Sequence, residues 1–155
     1  MKTILISPNC KRLRNGKVNP KHYPYWKELV SLLHSTHRRC LQIALPDEPS
    51  IDGVDTVIRY SQLSALDKHI YDSDTFISID SFLPHLCHYK KVYGIVIFGR
   101  SDPKIFGYTE NVNILKDRIY LRHNQFDAWE NTEYIQEAFV EPEVVLEAVN
   151  TVLNR

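Results

Sequence analysis

Residues 75–99, TFISIDSFLPHLCHYKKVYGIVIFG, decide the fold class of this chain. The segments TFISID (75–80) and YGIVIFG (93–99) are short, almost continuously apolar runs, which are typical of buried strands. Between them, SFLPHLCHYK (81–90) is predicted to be a helix. Ser81 is its predicted N-cap, and Pro84 falls in the first turn, where a missing N–H is tolerated. Two buried strands joined by a helix predict a parallel sheet covered on both faces.

The flanking sequence continues this alternation of strands and helices. Apolar β-rich runs predict further strands at 3–7, 40–45 and 55–60. Apolar residues at helical spacing predict helices at 25–35, 61–74 and 142–154. After residue 100 the pattern weakens to a long loop at 100–113, a short strand at 118–122 and a weak helix at 131–138. We expect one Rossmann-like α/β domain over residues 1–155, with a mostly parallel sheet and helices on both faces.

Such a sheet has a preferred place for a ligand. Ligands bind beyond the carboxyl ends of the strands, at the point where the order of the strands reverses. For the strand order 3-2-1-4-5, this point lies between the strand that ends at Ser7 and the strand that ends at Asp80. We therefore predict that these two residues end adjacent strands.

The composition argues against several classes of protein, although it leaves a local basic patch open. The 155 residues are 43% hydrophobic and 25% charged, as in an ordinary globular domain. The 19 basic and 19 acidic side chains cancel, so the net charge does not indicate nucleic-acid binding. Three widely spaced cysteines favour a reducing, cytoplasmic location over a disulfide framework. No apolar run approaches the ~20 residues of a membrane span, and no phosphate-binding loop or dinucleotide glycine motif is present.

Asp80 and Ser81 allow two interpretations. A helix that begins at Ser81 presents free N–H groups and a partial positive charge, which suit a phosphate, and His85 lies one turn further on the same face. Asp80, itself an anion, would then face hydroxyl groups. Asp and Ser are also common helix caps, however, and a lone histidine on a helix is usually structural. The spacing alone favours the capping interpretation.

A metal site is not predicted. His85, Cys87 and His88 lie on one helix, and His34 and His37 are three residues apart. Cys87 points to a different side of its helix, and no second pair of ligands accompanies either cluster. Structural histidines are the simpler interpretation.

Two short motifs carry a resemblance to a known family. Asp80, Ser81, His85 and Leu86 match Asp-Ser/Thr-Gly-x-x-His-Leu-Ala, and Phe98, Gly99, Ser101 and Pro103 match Phe-Gly-x-Ser/Thr-x-Pro. In this order they resemble the carboxyl-terminal half of glycosyltransferase family 9, the ADP-heptose:lipopolysaccharide heptosyltransferases. The opening ILISPN and the segment KHYPYWKELVSLL, with Lys21 and Pro24, also resemble that family. The resemblance extends over most of residues 2–110.

The sequence departs from the family pattern in four ways. Phe82 replaces the glycine of the first motif, Asn9 replaces the opening glycine, and Tyr23 replaces the tryptophan of the lysine motif. The fourth departure is size. Family members have two Rossmann-like domains facing a cleft, the GT-B fold, whereas this chain has room only for the donor-binding half. A phage-like, reduced genome is one origin that this size suggests.

The resemblance implies a nucleotide-diphosphate sugar as substrate, with an ADP-sugar favoured, and no cofactor. Lys21 would contact the phosphates together with the start of the 81–90 helix and His85. Asp47 or Glu48 would accept hydrogen bonds from the ribose. The full set of predicted donor-binding residues is Ser7, Asn9, Lys21, Asp47, Glu48, Asp80, Ser81, Phe82, His85, Ser101 and Asp102. The alternative for Lys21, Asp47 and Glu48 is a solvated loop position, and the alternative for Ser101 and Asp102 is a turn before Pro103.

Two classes of function follow from these observations. In the first, the chain is a glycosyltransferase, or the donor half of one that a partner chain or its own dimer completes. In the second, it is a non-catalytic nucleotide-sugar-binding or protein-interaction module. No residue matches the catalytic base of the missing domain, and the acceptor is undefined.

Overall fold

A computed structural model describes all residues from Met1 to Arg155. Six parallel strands form one sheet in the order β3-β2-β1-β4-β5-β6. The strands are β1 (Lys2–Ser7), β2 (Arg38–Ala44), β3 (Thr56–Arg59), β4 (Thr75–Ile79), β5 (Ile95–Phe98) and β6 (Val112–Leu115). The helices are α1 (Trp26–Ser35), α2 (Asp67–Asp72), α3 (Phe82–Tyr89), α4 (Pro103–Phe106) and α5 (Pro142–Leu153). This is the predicted Rossmann-like α/β fold, and no helix combines the length and apolar character needed to cross a bilayer.

Apolar side chains along each strand point alternately to the two faces of the sheet, so the core has two layers. In β1, Ile4 and Ile6 point to the side covered by α1 and α5, whereas Leu5 points to the side covered by α2 and α3. Successive strand residues face opposite sides of a sheet, so a run of apolar residues must be covered on both. The helices therefore lie on both faces, as predicted.

The predicted switch point is confirmed. β1 pairs with β4 in parallel, and Ser7 lies opposite Ser78, two residues before Asp80. The strand order reverses between these two strands, because β2 and β3 extend the sheet on one side and β5 and β6 on the other. The carboxyl ends at Ser7 and Asp80 are therefore adjacent.

The predictions after residue 110 are wrong in detail. A strand was predicted at 118–122, but the last strand of the sheet lies earlier, at Val112–Leu115. The segment at 118–122 instead forms a 3₁₀ turn at Arg118–Tyr120, which Asp117 caps by accepting from the Ile119 N–H. The predicted helix at 131–138 is replaced by two 3₁₀ turns, Trp129–Asn131 and Gln136–Ala138. Apolar spacing predicted regular elements here, but contacts with distant parts of the chain determine the conformation.

Candidate functional site

Residues 116–141, which we call the strap, cross the carboxyl edge of the sheet between β6 and α5. The backbone N–H of Arg122 donates to the Arg100 carbonyl at 3.0 Å. Gln125 accepts from the Asp102 N–H at 2.9 Å and donates to the Arg100 carbonyl at 3.0 Å. At its far end, the buried Tyr23 hydroxyl donates to the Val140 carbonyl at 3.0 Å. Long-range hydrogen bonds thus hold the strap against the loops that follow the strands.

A cleft lies between the strap and the ends of β1 and β4. Its first compartment has a volume of about 610 Å³, within the usual range for small-molecule sites. A second compartment of about 380 Å³ adjoins it on the side of His85 and Arg122. Six residues line both compartments: Lys21, Asp80, Ser81, Phe82, Asp127 and Trp129.

The charged pair of Lys21 and Asp80 occupies the centre of the cleft. Lys21 Nζ lies 3.5 Å from Asp80 Oδ2, and the side chains are only 22% and 9% exposed. Lys21 Nζ also lies 5.1 Å from the centroid of the Trp129 ring. The loop between β1 and α1 thus brings a cation to the carboxyl end of β4, where the sequence predicted a ligand.

The start of α3 faces the same cleft without a side-chain cap. Ser81 is the N-cap residue, but its side chain makes no capping hydrogen bond, and its Oγ lies 3.3 Å from Ser78 Oγ. The first N–H groups of a helix have no partner within the helix. Because Ser81 leaves them uncapped, this helix terminus is open to an anion.

His85 lines the second compartment and is exposed. Its Nδ1 lies 2.7 Å from the Tyr108 hydroxyl, and the ring of His88 stacks on Tyr108 with centroids 3.7 Å apart. Tyr108 therefore fixes the orientation of the His85 ring at the rim of the cleft. No group of three or more His, Cys, Asp and Glu side chains is arranged to hold a metal ion.

Of the other residues predicted to bind the donor, some line the cleft and some do not. Asn9 and Glu48 line the first compartment; the Asn9 amide donates to the Pro49 carbonyl and the Glu48 carboxylate accepts from the Leu45 N–H at 2.7 Å. Asp47 instead lines an adjoining hollow next to the same loop. Ser7 is buried beneath the cleft.

Ser101 and Asp102 do not line the cleft. Ser101 is buried, and the Asp102 carboxylate accepts from the Lys104 N–H at the start of α4. Asp102 also forms two hydrogen bonds with the Arg118 guanidinium, at 3.0 and 2.7 Å. The Arg118 partner and the capping bond hold the pKa of Asp102 below its usual value. Asp102 therefore connects the start of α4 to the strap through Arg118.

The strap side chains that line the cleft were not predicted from the sequence. Arg122 is 7% exposed, and its guanidinium lies 3.4 Å from the Trp129 centroid. Asp127 and Glu130 line the first compartment beside Trp129. Hydrogen bonds from backbone N–H groups, its own and that of Arg14, lower the pKa of Glu130. A tryptophan within a polar, irregular stretch was the one available signal, because core tryptophans lie within apolar elements.

Neither Cys10 nor Tyr60, which both line the first compartment, is an activated nucleophile. Burial raises the pKa of the Cys10 thiol to about 11, with Lys21 opposing and Glu48 reinforcing the shift. Burial and Glu48 raise the pKa of Tyr60 to about 12. Both shifts favour the neutral form, so neither group is poised for covalent attack.

The fold and the position of the cleft define the chain as a Rossmann-like domain with a cleft at its switch point. It is similar in structure to Escherichia coli ADP-heptose lipopolysaccharide heptosyltransferase II, with a TM-score of 0.72 and 16% identity over 99% of this chain and 46% of that one. A structure of E. coli heptosyltransferase WaaC with ADP is also similar, with a TM-score of 0.58 and 18% identity over 72% of this chain and 37% of that one.

These similarities confirm the predicted fold, and this chain spans less than half the length of the two heptosyltransferases. No protein-family model matches the sequence. No curated protein is significantly similar to it either.

Proposed function

We propose that this chain binds a nucleotide-diphosphate sugar in the cleft and transfers, or helps to transfer, its glycosyl group to an acceptor. The observation that carries the proposal is the Lys21–Asp80 pair at the switch point, 3.5 Å apart beside the uncapped start of α3. An ADP-sugar is favoured, because one similar protein is an ADP-heptose enzyme and the other was solved with ADP. Three free thiols support a reducing, cytoplasmic location.

The arrangement suits the chemistry of a leaving diphosphate. Cleavage of the glycosidic bond puts negative charge on the diphosphate, and groups already aimed at that charge lower the barrier. Lys21 supplies a point charge, the first amides of α3 supply hydrogen-bond donors, and His85 supplies a further donor at the rim. The Asp80 carboxylate accepts hydrogen bonds from sugar hydroxyls. Glu48, which follows β2, accepts from the ribose.

A second candidate function is nucleotide-sugar binding without transfer. The structural similarity covers less than half of each heptosyltransferase, so it supports a donor-binding cleft more directly than it supports transfer. If transfer occurs, we expect a second copy of this chain or a partner chain to contribute to the acceptor side of the cleft.

Thermal unfolding in the presence of nucleotides tests the proposal. ADP, UDP, GDP and their glucose or mannose conjugates are each added to the full chain. A ligand at ~100 times its dissociation constant should stabilise the fold by roughly 2.7 kcal/mol. A shift with at least one sugar nucleotide is expected, and no shift with any of them contradicts the proposal. Release of free nucleoside diphosphate on addition of an acceptor then separates transfer from binding alone.

A further inference from the structure

The order of the strands gives the cleft a direction. Glu48 and Tyr60, which follow β2 and β3, line only the first compartment. The Lys21–Asp80 pair lies in the middle, at the ends of β1 and β4. Arg122 and Gln125, which are bonded to the loop after β5, line only the second compartment. A ligand with three chemically different parts therefore has three different environments along one edge of the sheet.

Trp129 lies where the two compartments meet. It is half-buried, it lines both compartments, and its ring centroid lies 5.1 Å from Lys21 Nζ. A cation at this distance is attracted by the electron-rich face of an indole. The ring thus stands next to the charge that we assign to the diphosphate.

Arg122 fixes the position of this ring. Its Nη1 donates to the Asp127 carbonyl at 2.9 Å and to Thr132 Oγ1 at 3.2 Å, and its Nη2 donates to the Gln125 carbonyl at 2.7 Å. These bonds hold the planar guanidinium rigidly, 3.4 Å from the Trp129 centroid. The buried Nε–H has no hydrogen-bond partner. Burying an arginine with an unsatisfied N–H costs free energy. This cost argues that the position which Arg122 gives to Trp129 has a role.

We infer that Trp129 is the wall against which the glycosyl group of the nucleotide sugar packs, and that Arg122 is its positioning residue. This inference rests on the proposed function and extends it to the sugar. With the nucleoside toward Glu48 and Tyr60 and the diphosphate at Lys21, the sugar lies on the β5 side of the cleft. The ring carbons of a sugar carry C–H groups that form an apolar face, which an aromatic ring covers well, while Asp80 accepts from its hydroxyls.

The test compares the affinity for a nucleoside diphosphate with the affinity for its sugar conjugate. Calorimetry with ADP and ADP-glucose, or with the pair that gives the largest thermal shift, is carried out on the wild type and on four variants. Trp129→Ala removes the wall, Trp129→Phe keeps an aromatic ring, and Arg122→Lys keeps the charge but loses the planar fork. Tyr89→Ala is the matched control, because Tyr89 is 85% exposed and lines neither compartment.

We expect Trp129→Ala to weaken binding of the sugar nucleotide roughly tenfold, equivalent to about 1.4 kcal/mol, and to leave binding of the free diphosphate unchanged. Trp129→Phe should keep most of the sugar affinity, so a general loss of folding does not explain the effect. Arg122→Lys should reduce the sugar affinity selectively, like Trp129→Ala. The chain has two tryptophans, and Trp26 is buried in the core and 2% exposed. A change in tryptophan fluorescence on ligand binding should therefore come from Trp129, and Arg122→Lys should reduce that change.

Each other outcome has a distinct meaning. Equal losses for both ligands in Trp129→Ala would mean that the ring contacts the nucleotide, which overturns the inference while the proposed function stands. Unchanged affinities in Trp129→Ala would likewise overturn it. If the wild type binds none of the nucleotides, the proposed function fails and the inference fails with it.

Discussion

At the scale of single residues, the carboxylate of Asp80 is held by Lys21 and not by the helix that follows it. Its side chain is 9% exposed, and Lys21 reaches it across the cleft at 3.5 Å. Ser81, the N-cap residue, makes no capping bond. The capping role that the spacing favoured is therefore not performed by the Ser81 side chain, and the charge of Asp80 remains available to a ligand.

Asp80→Asn and Lys21→Gln should separate the contribution of the sugar to binding from the contribution of the phosphates. Asp80→Asn removes charge-assisted hydrogen bonds to hydroxyls, so sugar-nucleotide affinity should fall about tenfold while free diphosphate affinity is kept. Lys21→Gln should weaken both ligands, because it removes a charge from the phosphates. Each variant leaves a largely buried charge without its partner, because the two side chains are only 22% and 9% exposed, so both should also lower the free energy of unfolding. Affinities are therefore compared at a temperature at which all the proteins are folded. Calorimetry and urea unfolding measure these effects, and normal sugar binding by Asp80→Asn would contradict the assignment.

At the scale of elements, Asp102 connects α4 to the strap. It caps α4 through the Lys104 N–H and pairs with Arg118. Asp102→Ala should therefore destabilise the protein by about 2 kcal/mol in urea unfolding at neutral pH. Asp102→Asn should cost less, because an amide oxygen still caps the helix. Equal stabilities of the wild type and Asp102→Ala would show that the contact is dispensable.

The pH dependence of the Asp102 contribution has a defined sign. Arg118 and the capping bond lower the pKa of Asp102 in the folded protein, whereas its unfolded value is about 3.9. The stabilisation is therefore complete above the unfolded pKa and is lost as the pH falls through the lower folded value. The difference in unfolding free energy between the wild type and Asp102→Ala should narrow in this acidic range. A constant difference down to the acid limit would contradict the mechanism.

Gly99 allows the strap to pack on the end of β5. A Cβ atom at this position would lie 2.5 Å from Phe139 Cε1, closer than any real contact. Gly99→Ala should destabilise the protein by about 1–3 kcal/mol through overpacking. Phe139→Leu in the same chain should relieve part of this cost, so a double-mutant cycle should give a favourable coupling energy. Additive effects would show that the two positions do not press on each other.

The sheet was predictable from the sequence and the strap was not, for physical reasons that single elements illustrate. β4 and β5 are almost continuously apolar runs. Such strands must be buried on both faces, which predicts a parallel sheet with helices on both sides. The edge strand β6 carries Asn113 in a four-residue run, too short and mixed for a periodic signal. Within the strap, the Arg122 backbone N–H and the Gln125 side-chain amide both donate to the Arg100 carbonyl, more than 20 residues away, so no local pattern encodes their positions.

At the scale of the whole molecule, the three thiols differ in access to solvent. Cys40 and Cys87 are completely buried, and Cys10 is partly exposed in the cleft. Because burial raises the pKa of Cys10 to about 11, little of it is thiolate at neutral pH and it should react slowly. One thiol should therefore react with a disulfide reagent in the native protein and three after unfolding. A bound nucleotide should protect Cys10, and reaction of Cys40 or Cys87 in the native protein would contradict this assignment.

The formal net charge of zero conceals a strong separation of charge along the chain. Residues 10–27 contain six Lys and Arg and no acidic residue, whereas residues 127–147 contain seven Asp and Glu and no Lys or Arg. The two segments meet at the cleft, where Lys11 and Arg14 share the lining with Asp127 and Glu130. Neither Lys11 nor Arg14 has an ion-pair partner.

In the folded protein the basic and the acidic segment lie together at one opening, so their charges partly cancel there. An anion that arrives there competes with carboxylates that already face the same cations. Salt screens such interactions over a Debye length of about 8 Å at physiological ionic strength. The association rate of a diphosphate should therefore depend less on salt than the six cations alone would suggest, because the acidic residues of the strap already offset part of their positive charge.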